Sequence, residues 1–148
     1  MNAKSLLLAI LLVAGLSSVA QAQEINAGAI IGFPSGGTLF GVSGRFEAPI
    51  SNNFKWMVTP SLQFGFATVI AIQGGAKYEF EDLNFYLGAE LGPLFISNNG
   101  SSDTRFGFTP TFGYRFSEKY DFSFQYFTGG DQVSYTAFRF AYIFKQGN

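Results

Sequence analysis

Glu47, Glu79, Glu90 and Asp121, with Glu24 ahead of them, are the side chains of this sequence best suited by type to proton transfer. Carboxylates close together can divide the roles of acid and base when their surroundings push their pKa values apart. Here they share their alternating positions with fixed cations: Arg45, Lys55, Lys77, Arg105, Arg115 and Arg139. Six basic residues against five acidic ones nearly cancel, which favours structural ion pairs over a reactive acid pair. The remaining vocabulary of catalysis is thin. The 148 residues hold no histidine and no cysteine, which removes the usual general base, the commonest zinc ligand, the thiolate nucleophile and any disulfide framework. No catalytic residue, cofactor or metal is expected. A net charge of −1 leaves no electrostatic footprint for nucleic acid.

The elements that position these charges lie behind an export signal. Lys4 gives a short positive region, Leu6 to Leu16 an apolar run, and Ala20 and Ala22 the small residues of a cleavage site, so residues 1–22 read as a secretory signal peptide. The apolar run falls short of the about 20 residues a spanning helix needs. Residues 23–148 are then one domain. Through it runs an alternation of period two, the mark of strands with two unlike faces. Eight segments carry it. One face of each is apolar: Ile25 to Phe33, Phe40 to Ala48, Trp56 to Phe66, Ile70 to Phe80, Phe85 to Phe95, Phe106 to Phe116, Tyr120 to Tyr126 and Phe138 to Phe144 at every second position. The opposite face carries glycine, serine, threonine, glutamine and every charge named above. Short turns are expected at Ser35–Gly37, Ser51–Asn53, Ala67–Val69, Glu81–Asn84, Ser117–Lys119 and Thr128–Asp131, and the longest loop at Asn98–Asp103.

The charges settle which face meets which medium. No charge occupies the apolar phase, and a basic residue at a bilayer midplane costs about 2–4 kcal/mol. Strands of roughly 9–12 residues, even in number and apolar outward, make an all-β, eight-stranded antiparallel up-and-down transmembrane β-barrel. Closure removes the sheet edges that lipid would not tolerate. Eight strands leave an interior wide enough for side chains only. The inward charges, Arg45, Glu47, Lys77, Glu79, Glu90, Arg105, Arg115, Asp121 and Arg139 among them, are therefore expected to pair across the lumen and plug it. An even strand count puts both ends of the chain at the periplasmic side. Trp56, Phe80, Tyr114, Phe116, Tyr120, Tyr142 and Phe144 are expected to form an aromatic girdle there.

Eight such segments, closed by the aromatic final strand "AFRFAYIF", resemble the small outer-membrane barrels of Gram-negative bacteria, the OmpX-like proteins and the transmembrane domain of OmpA-like proteins. The resemblance implies a cell outer-membrane location after export, contact with membrane lipid and lipopolysaccharide, insertion by the barrel-assembly machinery, and a monomer. It implies a non-enzymatic structural or surface-interaction role, with no nucleic-acid partner and an extracellular partner left unnamed. Three other readings compete with it. Outer-membrane lipid A deacylases and palmitoyltransferases use a histidine with a serine, and this chain has no histidine. A narrow pore or small-molecule carrier requires an open lumen. A soluble lipocalin-type barrel requires the aromatic face inside, and its outer surface would need far more than 13% charged residues.

Overall fold

The structure is a computed structural model, and it describes residues 2–10, 24–80, 82–98, 100–129 and 134–145. The expected cleavage point after Ala22, part of the last turn at 128–131 and the tail at 146–148 lie outside them. Residues 3–10 are helical, and no helix among the described residues is long and apolar enough to cross a membrane. Eight strands follow: β1 Glu24–Phe33, β2 Leu39–Pro49, β3 Phe54–Gly65, β4 Thr68–Phe80, β5 Phe85–Asn98, β6 Ser101–Arg115, β7 Tyr120–Thr128 and β8 Ser134–Lys145. Each pairs antiparallel with its sequence neighbours, and β8 returns to β1 to close the barrel.

The alternation in sequence becomes an inversion of the usual soluble pattern. Arg45, Lys77, Glu47, Glu90, Asp121 and Arg139 are buried, whereas Phe40, Val42, Leu91, Phe106 and Phe112 stand out on the wall. Prolines leave their mark on the ladders. Regular pairing is interrupted where Pro60 on β3 faces β2 and where Pro93 on β5 faces β4, because proline has no N–H to give.

Two turns differ from the sequence expectation. Between β3 and β4 only Phe66 and Ala67 intervene, and Thr68 and Val69 already belong to β4. Phe64 pairs with Thr68, which keeps Phe66 and Ile70 on the outer face. The expected long loop at Asn98–Asp103 is a hairpin ribbon. Asn98 pairs with Ser101 and Ile96 with Asp103, so only residues 99 and 100 connect the strands. Gly100 has φ +83°, a conformation glycine adopts freely. β5 and β6 are thereby the two longest strands, with 14 and 15 residues, and Ser97, Asn98 and Ser101–Thr104 at their tip are exposed. Polar residues in that stretch signal water on both faces, not the absence of a strand.

Candidate functional site: the charged lumen

The strands direct their polar phase into one narrow interior, and the charges form a single connected network there. At the end that holds the start of β1 and the end of β6, Arg115 hydrogen-bonds to Glu24. Lys55 Nζ lies 3.9 Å from Glu24 Oε2 and 3.0 Å from Glu79 Oε1. One layer further in, Lys77 Nζ bridges Glu47 Oε1 at 2.5 Å and Glu79 Oε2 at 3.5 Å. Glu47 continues the chain by accepting from Asn26 Nδ2 at 3.5 Å, and Asn26 Oδ1 accepts from Arg139 Nη2 at 2.5 Å. Arg139 also donates from Nε to Ser43 Oγ at 2.9 Å.

A second branch runs through Tyr86. Its ring lies 4.3 Å from Lys77 Nζ, a cation–π contact. Its hydroxyl accepts from Arg45 Nη1 at 3.1 Å and donates to Asp121 Oδ1 at 2.8 Å. Arg45 in turn lies 3.7 Å from both Glu90 and Asp121 and donates from Nε to Thr59 Oγ1 at 3.1 Å. Sequence reasoning did not identify Tyr86. It occupies the polar phase of β5 between outward Phe85 and Leu87, and a search for polar inward residues passes over an aromatic ring. The available signal was Gly113 opposite it. A Cβ at Gly113 would collide with the Tyr86 ring, so the glycine is the space the tyrosine fills.

Arg105 is the sequence-selected cation that the fold leaves out of this network. It sits where β6 leaves the barrel, partly exposed, with Nε 2.7 Å from Asp103 of the same strand. Phase put Arg105 on the right face, but phase carries no depth. Without it the interior holds Glu24, Glu47, Glu79, Glu90 and Asp121 against Arg45, Lys55, Lys77, Arg115 and Arg139. The two sets cancel. Each of these carboxylates lies beside a cation or accepts a hydrogen bond, while Arg45 Nη2, Glu90 Oε2 and Arg139 Nη1 are buried with no hydrogen-bond partner among the described residues.

Above the charges the lumen changes character. Thr109 Oγ1 donates to Gln73 Oε1 at 2.7 Å, and the Tyr135 hydroxyl donates to Gln63 Oε1 at 3.2 Å. Beyond these amides Ile30, Leu39, Val69, Leu94 and Phe127 form a buried apolar cluster with Tyr135. These residues lie in the inward phase, and a reading that follows the charges does not single them out.

The outer wall carries the aromatics. Around the terminus-bearing end the rings touch in sequence: Phe85–Tyr114 at 4.9 Å between centroids, Tyr114–Phe116 at 6.2 Å, Phe116–Tyr120 at 5.9 Å, Tyr120–Tyr142 at 5.7 Å and Tyr142–Phe144 at 5.2 Å. Phe80 contacts Tyr78, which contacts Phe54, both at 5.0 Å. Trp56 is half-buried on the same wall, next to Ala48 and Ala76 in the ladders.

No protein-family model matches this sequence, and no curated protein matches it. Solved structures do match. A designed transmembrane β-barrel superposes with a TM-score of 0.61 at 13% identity, over 83% of this chain and 97% of the design. Neisserial surface protein A gives 0.56 at 20% identity over 82% and 94% of the two chains. Ail, the attachment invasion locus protein of Yersinia pestis, gives 0.51 at 14% identity over 82% and 97%. At such identities the likeness is one of fold. This chain has the small eight-stranded antiparallel barrel that natural surface proteins and designed transmembrane barrels share.

Proposed function

We propose that the protein is a non-enzymatic integral barrel of the outer membrane whose lumen is filled by its own side chains, with a structural or surface-contact role in the envelope. The observation that carries this reading is the interior balance: five acidic and five basic side chains engaged with one another or with buried hydroxyls and amides. A reaction centre keeps a group free to act, and a conducting pore keeps a solvated path. This interior turns its charges on itself. The aromatic, charge-free outer wall fits hydrocarbon, and the fold of a surface protein and of designed transmembrane barrels supports the same placement.

In this reading residues 1–22 direct export and are removed, the barrel-assembly machinery inserts residues 23–148, and the barrel stands as a monomer among lipid and lipopolysaccharide. Among the described residues, the exposed β5–β6 tip is the surface offered for contact in this reading. The test is electrical and chemical. Purified protein in a planar bilayer should give no steady single-channel conductance, and overexpression should leave the mass spectrum of lipid A unchanged. Regular conductance steps would favour the pore or carrier, and a new lipid A species would favour an enzyme.

A further inference from the structure

The lumen is closed by two layers of opposite chemistry, and we infer that the apolar one, not the ion-pair network, is the barrier to ions. This rests on the reading of the protein as a sealed membrane barrel. The layer lies toward the end opposite the chain termini. β1 contributes Ile30, β2 Leu39, β4 Val69, β5 Leu94, β7 Phe127 and β8 Tyr135, so six strands converge on it. Leu94 is wholly buried and Leu39 nearly so. The Phe127 and Tyr135 rings stack at 5.0 Å with an interplanar angle of 15°.

Glycines on the neighbouring strands make room for two of these side chains. A Cβ at Gly107 would stand 2.9 Å from Leu94, and one at Gly32 would stand 2.8 Å from the Tyr135 ring. The single polar atom that Tyr135 brings is turned to Gln63 Oε1, so the layer's own side chains offer no charge to replace an ion's hydration, and only the neutral amides of Gln63 and Gln73 border it. An ion entering from the charged end can exchange water for Glu47, Lys77, Arg45 or Asp121. On reaching Leu94 and Phe127 it finds no such exchange, and an unpaired charge in apolar surroundings is expelled. Hydrophobic constrictions of this kind block channels by excluding water.

The test compares two variants with the parent in planar bilayers, each first shown to be folded by a heat-dependent shift on an unboiled gel. One is the double variant Leu94→Ala with Phe127→Ala. The other is Lys77→Met with Glu47→Met, which neutralises the closest buried pair as a unit. The expected result is a silent parent, a silent charge variant and discrete conductance steps in the apolar variant. Conductance in the charge variant with a silent parent would overturn the inference, even if the apolar variant failed to fold. A folded but silent apolar variant would overturn it too. Conductance in the parent would instead remove the sealed-barrel reading on which the inference stands.

Discussion

Lys77 Nζ lies 2.5 Å from Glu47 Oε1 with neither side chain exposed, on strands that are not neighbours in the barrel. The contact spans β3 on the inner face, from β4 to β2. Two charges are held at that depth as a pair, because removal of either leaves the other buried without its nearest counter-charge. Lys77→Met alone should therefore destabilise the folded barrel by about 3–5 kcal/mol. The combined Lys77→Met and Glu47→Met variant should recover most of that loss. Urea unfolding midpoints in lipid vesicles, read by the mobility of folded and unfolded bands, give both numbers.

The arginines separate by depth. Arg45→Met strands Glu90 and Asp121, both buried beside it, and should lower the unfolding midpoint strongly. Arg105→Met removes only the exposed pair with Asp103 and should leave the midpoint unchanged within error, as surface ion pairs contribute little. Equal losses in the two variants would mean that the interior network is not what holds the charged layer together.

Tyr86 joins the two branches of that network, its ring against Lys77 and its hydroxyl accepting from Arg45 and donating to Asp121. Tyr86→Phe keeps the ring over Lys77 and deletes the hydroxyl, so a loss of about 1–3 kcal/mol is expected from the buried groups left short of a partner. Gly113→Ala should be worse than Tyr86→Phe, since its Cβ would fall within the space of the ring. The same unfolding assay ranks them.

Close backbone approach makes a further contrast. A Cβ at Gly75 would collide with the Ala89 carbonyl oxygen, whereas one at Gly44 meets nothing nearer than 3.8 Å. Gly75→Ala should cost more than the about 1–3 kcal/mol of ordinary overpacking, and Gly44→Ala should fold like the parent. Refolding yield into detergent micelles distinguishes them.

The lipid-facing phase can be tested at Leu91, exposed on the wall in the middle of β5 and paired with Phe108. Leu91→Arg should cost about 2–4 kcal/mol in a bilayer. A variant as stable as the parent would place water, not lipid, against that wall.

Much of this was legible in the sequence because lipid imposes a strict rule. Charge is excluded from one phase of every strand, so Arg45, Lys77, Glu90 and Arg139 declare the inner face by their positions alone. The rule lapses where lipid ends. Ser101–Asp103 carry polar residues in both phases, and the strand they belong to reads as a loop. Inside the barrel the rule is one-sided as well. A narrow lumen accepts Tyr86 and Leu94 as readily as a charge when Gly113 and Gly107 make room opposite, so apolar inward residues do not stand out from the outer wall. Depth is also unwritten in the alternation, which is why Arg105 and Arg115 look alike in sequence and end with an exposed and a buried partner.

The most direct test of the account is the mobility of the protein from isolated outer membranes on a denaturing gel, unboiled and boiled. A closed, lipid-inserted barrel predicts that the protein is found in that fraction and runs at a different position until heated. Recovery in the soluble fraction, or one mobility regardless of heating, would contradict it.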